Sequence, residues 1–395
     1  MDNSLRLISL FEISLLFIVF SSSVEALGDA LRINIGLLSD CSFVVALLSG
    51  LLLAKNETIK MTPTFGLVAL FVLVCLVSCV LVSEQYETLG KFVLVIFIAW
   101  LASLVLRPPL WGHFIKLFIL FGVLYSLIVL ISYSRINLAI AQDTISYLPI
   151  SYVPALSLAI VLAIVVFDEK FRRAYFFIVI AILLVTVFAF EGRGNALFPL
   201  FSVLLIALGA YARNLGNLMK VLLFAFIIGA LFLGIFVLVS GAAMDERMLR
   251  LFTDIESEPR TDLYAAYFEF LTVDYNWVLG VGFNNGEIIP TLRGETYPHN
   301  YLLQMFSDLG LTGLLIGLIF TLIYLYCIVL LVRKADLAFH DRPSIRNTIY
   351  ALCAGSIFVV LSHCKSYNLF AGFSLIILLG LVFGAYSYFK AAKEQ

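Results

Sequence analysis

Twelve stretches of this chain are apolar over about the length a helix needs to cross a bilayer. They lie at 7–23, 34–54, 62–82, 91–107, 114–133, 151–168, 174–190, 195–211, 219–240, 306–332, 347–363 and 367–389. A spanning helix takes about 20 such residues. Hydrocarbon offers the backbone no water, so each stretch must satisfy its own amide groups as a helix. The expected class is therefore all-α and polytopic, a single membrane domain over 1–395 with about 12 transmembrane helices. Hydrophobic residues make up 62% of the chain and charged residues 13%. Soluble domains sit near roughly 45–50% and 25%, so no soluble globule could hide this surface. Disordered, coiled-coil and disulfide-rich secreted classes fall to the same numbers. The net charge of −1 gives no basic field for a phosphate backbone. The lipid bilayer is a partner, and nucleic acid is not.

The first stretch has the length of a signal peptide. Its leading segment carries one cation, Arg6, and Ser21-Ser22-Ser23-Val24-Glu25-Ala26 only loosely resembles a cleavage site. With eleven further stretches behind it, an uncleaved span is expected. Cys41, Cys75, Cys79, Cys327 and Cys353 lie inside apolar runs, and Cys364 lies at a membrane edge. Without a Cys-x-x-Cys or Cys/His cluster, neither a disulfide framework nor a zinc site is expected.

Lysine and arginine orient the spans. With both termini in the cytoplasm, sixteen of the 25 cations fall on the inner side and five, Arg32, Lys91, Arg135, Arg193 and Lys365, on short outer loops. The other four lie in one long outer loop, where the rule does not apply. Residues 241–305 form this loop. Its length in an otherwise short-looped chain marks it as functional. Within it, apolar residues at 263, 264, 267, 268, 270 and 271 predict an amphipathic helix on the outer membrane face. Asn276–Gly282 reads as a turn with tight backbone. Pro298 fits the first position of the tenth span, placing His299 in its first turn, where free N–H groups favour an anion.

Three residues stand out for chemistry. Arg193 lies in the outer turn Glu191-Gly192-Arg193-Gly194-Asn195, where the glycines allow close backbone approach. It either anchors on lipid headgroups or grips a lipid-linked phosphate, which a guanidinium matches with a rigid fork. Arg260 opens the amphipathic helix and has the same phosphate reading beside that of a surface ion pair with Glu256 or Glu258. His299 is followed nine residues on by Asp308, an ionisable group inside a span and so expected to have a purpose. Glu12 and Asp40 also lie near or inside spans, with no partner evident. The sequence contains no Asp-x-Asp, paired-carboxylate, Gly-x-Ser-x-Gly or P-loop motif.

Gly280-Val281-Gly282, then Pro298-His299-Asn300-Tyr301-Leu302, then Asp308-Leu309-Gly310-Leu311-Thr312-Gly313 resembles the signature of the bacterial O-antigen ligase and polymerase superfamily. Arg260, twenty residues before Gly280, matches the family's loop arginine. The turn at Arg193 matches a second, although the residue before it is usually Ser or Thr and here is Gly192. The resemblance implies a metal-independent glycosyltransferase of helical GT-C-like architecture. It implies an undecaprenyl-pyrophosphate-linked glycan as donor, a sugar hydroxyl as acceptor, and no cofactor. The site would lie on the periplasmic side of the inner membrane, built in part from the large periplasmic loop 241–305 and its short amphipathic helices. Arg193 and Arg260 would hold the pyrophosphate leaving group, and His299 would accept or orient the acceptor proton with inversion. Asn300, Asp308, Gly280 and Gly282 would complete the substrate-binding set, with no metal. A chain-length regulator and a flippase are the implied partner proteins.

Polymerase is favoured over ligase on two features. The His299-Asn300-Tyr301-Leu302-Leu303-Gln304 stretch looks more like polymerases. Ligases often carry an acidic residue near the outer end of the next span, where this chain has Leu361-Ser362-His363-Cys364. A transporter of lipid-linked glycans is the different-class alternative. It would want charges through several spans and repeated interrupted segments, whereas most charges here lie at the edges. The charge asymmetry predicts that an impermeant thiol reagent labels a cysteine placed at position 285, and not one at 338, in spheroplasts of a Cys-free variant. The reverse pattern would invert the whole arrangement.

Overall fold

The computed structural model describes residues 3–55, 63–142, 144–167, 174–190, 193–211, 216, 219–223, 226–227, 229–230, 259–273, 276–289, 298–339, 341–366 and 372–393. Among these residues all regular structure is helical. Seven helices are long and apolar enough to cross a membrane, and eight if a bent pair counts as one span. Three shorter apolar helices, Val68–Ser83, Tyr175–Ala189 and Ser374–Phe389, occupy three more of the expected runs. The expected run at 219–240 lies largely outside the described residues. The chain is an all-α, multi-pass membrane protein, and its described residues hold seven helices, or eight with the bent pair, that pass the length test.

The first run does not continue straight. Helix α1 (Asn3–Val19) and α2 (Ser21–Leu31) meet at Phe20 with a bend of 69°. The polar sequence Ser-Ser-Ser-Val-Glu weakens the apolar character there, and Tyr125 of α6 (Trp111–Ile131) donates to the Ser23 carbonyl across 3.0 Å. That bond holds the bent segment against the bundle.

At the centre stands α8 (Tyr147–Phe167), buried from Ile150 through Phe167. A helix apolar on every side is stable only when every side is covered. It is packed by α6, α9 (Ala174–Ala189), α10 (Arg193–Tyr211) and α14 (Pro343–Lys365). Around this core, α3 (Gly36–Ala54) lies against α1 and α5 (Tyr86–Val105), and α13 (Tyr301–Ala338) lies against α14 and α15 (Ser374–Lys393).

In lipid, helices associate by packing rather than by hydrophobic expulsion, so small residues mark the closest crossings. On α15, Gly380 and Gly384 form a Gly-x-x-x-Gly face. A Cβ at Gly380 would lie 2.5 Å from the Ala99 carbonyl oxygen of α5, and one at Gly384 would lie 2.5 Å from that of Ser103. Both neighbours are backbone and cannot yield. Gly380→Val or Gly384→Val must therefore push α15 off α5, at a cost of about 1–3 kcal/mol. We expect a lower unfolding temperature in detergent for either variant. An unchanged temperature would show that the contact can relax.

Candidate functional site

The helix α13 is the organising element of the site. Asn300 caps it: its Oδ1 accepts from the N–H groups of Leu302 (3.0 Å) and Leu303 (3.1 Å). This serves orphan donors that any helix start leaves open. The helix therefore begins at Tyr301, and His299 precedes it instead of lying in its first turn. Pro298 is outside the helix as well. His299 adopts φ +53°, a left-handed conformation that few non-glycine residues hold without support from their surroundings.

Ten residues on, the helix breaks. Gly310 has φ 64° and ψ −155°, a region essentially closed to side-chain-bearing residues. In an unbroken helix the carbonyls of Ser307 and Asp308 would accept from the residues four further on. Here they accept from the loop: Val281 N–H donates to Ser307 O (2.7 Å) and Gly282 N–H to Asp308 O (3.0 Å). The approach is close because Gly280 (φ +73°) has no side chain. A Cβ there would sit 2.5 Å from the Asp308 carbonyl oxygen. A Cβ on Gly310 would be 2.2 Å from the Val278 carbonyl oxygen. Gly280 and Gly310 thus meet each other, backbone to backbone.

Asp308 completes this joint. Its side chain is 1% exposed. One carboxylate oxygen accepts from Asn284 N–H (3.1 Å) and the other from Ser307 Oγ (3.1 Å); Gln304 also bonds to it. The carboxylate is engaged in holding the 280–285 loop. That loop packs on the C-terminal end of α4 (Pro63–Ser78) and its following π turn, Cys79–Ser83. Phe283 N–H donates to Ser78 Oγ (2.9 Å), and a Cβ on Gly282 would meet Ser83 at 2.9 Å.

The predicted amphipathic helix exists as α11 (Pro259–Val273). Its buried stripe, Leu263, Tyr267 and Leu271, packs on Val281, Ile289 and Leu303. Phe306 adds to the same cluster. The apolar face is therefore covered by the 280–289 loop and α13, not by lipid, while Phe268 stays exposed on the other side. Arg260 sits in the first turn of α11, one turn before Leu263. A single helical turn, α12 (Asn276–Leu279), links α11 to the Gly280 joint.

Several helix ends gather beside His299. Its Nδ1 lies 3.4 Å from the carbonyl oxygen of Ser366, just past the end of α14. The neighbouring Lys365 reaches α10: its Cδ is 3.2 Å from where a Gly194 Cβ would be, and its Nζ is 5.7 Å from the Phe198 ring centre. Arg193 is the first residue of α10. Asn195, one turn into α10's start, donates to Ser151 Oγ of α8 (2.8 Å). Tyr152 and Ser374 hydroxyls pair at 2.6 Å, tying α8 to α15. His363 reaches the Val359 carbonyl (2.9 Å) and the Gly372 carbonyl (3.1 Å). The starts of α8, α10, α13 and α15 and the end of α14 thus share one end of the bundle. His299 and the backbone of Arg193 come together there, with Arg260 on the α11 layer that packs on the first turns of α13. The side chains of Arg193 and Arg260 lie outside the described set.

Sequence reading missed two groups. Lys365 entered only as an outer-loop cation, with no sign that it faces α10. Glu12, fully buried in α1, meets His113 of α6. Asp40 is exposed on α3. No group of three or more metal-ligating side chains occurs among the described residues.

Gly310→Ala should cost most of the activity while leaving the membrane-inserted chain intact. The added Cβ collides with Val278 and forces the loop off the break. Asp308→Ala should do likewise through loss of the Asn284 anchor. Protease sensitivity within 276–289, measured on purified variants, is the direct check and should rise in both. Unchanged protection in both would separate the loop from the break.

The family model for O-antigen ligase matches residues 178–318. The matched segment contains α10, α11, the Gly280 joint and α13 through its break. No curated protein matches the chain. The chain is thus similar to the O-antigen ligase family over the segment that holds the Gly280–Asp308–Gly310 joint, which supports its likeness to the O-antigen ligase and polymerase superfamily.

Proposed function

We propose that the chain is an O-antigen polymerase. It moves a glycan from undecaprenyl pyrophosphate to the terminal sugar hydroxyl of another lipid-linked repeat unit, at the periplasmic face of the bacterial inner membrane. The family model that matches residues 178–318 is described as O-antigen ligase, which implies a glycosyltransferase-like activity in lipopolysaccharide assembly. The observation that supports the finer reading is the meeting of the His299 segment, the end of α14 and the Arg193 end of α10 at one end of the bundle.

In this reading Arg193 and Arg260 bind the diphosphate and stabilise the charge that grows as the anomeric C–O bond breaks. Two fixed guanidiniums take the role that a divalent cation fills in other transferases. With Nδ1–H directed to Ser366 O, a neutral His299 ring carries its lone pair on Nε2. That nitrogen takes the acceptor hydroxyl's proton as the oxygen attacks the anomeric carbon from the face opposite the leaving group, giving inversion. Asn300, Asp308, Gly280 and Gly282 act by shape: they fix where α13 begins and where the loop lies. The large loop 241–305 forms part of the site, and both chain termini are cytoplasmic. A chain-length regulator and a flippase work beside the enzyme.

The ligase reading keeps the same donor chemistry and takes lipid A–core as acceptor; the matched family model carries the description O-antigen ligase. A deletion strain separates the two. Loss of a polymerase leaves single repeat units on the core, whereas loss of a ligase leaves none attached and lipid-linked polymer accumulates.

Arg193→Ala and Arg260→Ala should each remove most activity at normal membrane levels, with Lys restoring only part, because a point charge lacks the bidentate fork. Full activity in both Ala variants would remove the arginines from the leaving-group role. His299→Ala should lower the rate by about 10²–10⁴. His299→Gln is sharper, because it keeps a hydrogen-bonding group without a proton acceptor. A Gln variant at the wild-type rate would leave His299 an orienting role alone.

A further inference from the structure

The end of α14 reaches three different segments. His363 is fully buried, with Nδ1 2.9 Å from the Val359 carbonyl oxygen and Nε2 3.1 Å from that of Gly372. The Cys364 thiol faces the hydroxyl of Tyr301, the first residue of α13. Ser366, just past the helix and itself buried, turns its carbonyl to His299 Nδ1 at 3.4 Å. Val359 lies in His363's own helix, one turn back. Gly372 does not: it stands just before α15, at the far end of the connection that Ser366 begins. A buried imidazole costs free energy unless its nitrogens are met, and here one of them is met across that connection. His363 thus ties the entry of α15 back to the last turn of α14.

The ring is braced as well as bonded. Tyr152 of the buried post α8 meets it edge-on, with ring centres 6.5 Å apart, and the Tyr152 hydroxyl pairs with Ser374 at the start of α15. This bracing bears on His299. A histidine at φ +53° keeps that conformation only where its surroundings hold it, and the Ser366 carbonyl is one group that does so. Ser366 N–H donates back to Ser362 O at 2.8 Å. The direction of its carbonyl then follows the path the chain takes toward Gly372, and His363 fixes the end of that path.

Resting on the proposed function above, in which His299 is the base, we infer that His363 is a positioning residue for the transfer. By holding Gly372 against the end of α14 it aims the Ser366 carbonyl. That carbonyl keeps His299 in the Nδ1–H tautomer and leaves the Nε2 lone pair for the acceptor hydroxyl. His363 acts through the backbone alone. No bond to it forms or breaks, and it takes no proton from the acceptor.

The test reads the His299 tautomer by NMR of isotope-labelled histidine nitrogens in the full-length protein in detergent. The chain has four histidines, and His299→Gln identifies the His299 signals. The wild type should show a protonated Nδ1 and a bare Nε2 on His299. His363→Phe keeps the bulk and removes the bond to Gly372. It should move His299 toward the Nε2–H form that a free imidazole favours. It should also lower kcat by about tenfold to a hundredfold, with the KM for the lipid-linked donor within about threefold of wild type. His363→Gln keeps an N–H for the Gly372 carbonyl and should restore most of the Nδ1–H form. An unchanged His299 tautomer in His363→Phe overturns the inference. So does a loss of rate matched by an equal rise in donor KM, or a Gln variant no better than Phe; either marks His363 as a packing residue. Should the Phe variant lose monodispersity, His363→Leu is read by the same criteria. The tautomer is read without substrate. A wild-type protein that transfers no glycan therefore overturns the proposed function, while the tautomer still decides whether His363 aims His299.

Discussion

The site depends on one break in one helix. A span-length helix that breaks at Gly310 exposes carbonyls that hydrocarbon cannot serve, so protein must. The 280–285 loop does so, through Val281 and Gly282 N–H, and Asp308 returns the favour by accepting from Asn284. The exchange is mutual. Without the loop the break would leave the carbonyls of the buried Ser307 and Asp308 unpaired, and without the break the loop would have no acceptors. Each such group costs about 1–3 kcal/mol when unmet, so loop and helix form as a unit.

That unit determines what can stand at the head of α13. Asn300 sets the first turn, which leaves His299 outside the helix in a left-handed conformation with its ring turned to Ser366. α11 then packs by Leu263, Tyr267 and Leu271 on both the loop and Leu303, bringing the Arg260 end of that helix onto the same layer. From the other side, α8 acts as a fully buried post. It ties α10 through Ser151 to Asn195 and α15 through Tyr152 to Ser374. The polar groups that meet at this end come from segments far apart in the chain, on helices rigidly packed below it. A transferase that must hold a lipid diphosphate and an acceptor hydroxyl in fixed relation needs such a platform.

Much of the fold was legible because a span is a local signal: the runs at 34–54 and 151–168 became α3 and α8 with ends shifted by a few residues. The motif itself was visible too, since Gly280, Gly282, His299, Asp308 and Gly310 form a recognisable pattern. Their mutual contacts were not. That Gly280 and Gly310 touch is a fact of tertiary packing, and nothing in a spacing of thirty residues encodes it. The same limit hid the Gly380/Gly384 face, which has meaning only beside Ala99 and Ser103, and the reach of Lys365 to α10. The bend at Phe20 escaped because serines inside a short apolar run read as mild polarity. The amphipathic pattern of α11 was read correctly as a helix but assigned to lipid. Periodicity reports that a face is covered, and it does not report by what.

The central claim is that the charged groups at this end of the bundle catalyse glycosyl transfer from a lipid diphosphate without a metal and without a sealed membrane. The most direct measurement is turnover of an undecaprenyl-pyrophosphate-linked repeat unit by the purified protein in detergent with EDTA present, with the anomeric configuration of the new linkage read by NMR. The account predicts release of undecaprenyl pyrophosphate and an inverted linkage between repeat units. Retention of configuration, or transfer that EDTA abolishes and a divalent cation restores, would contradict it.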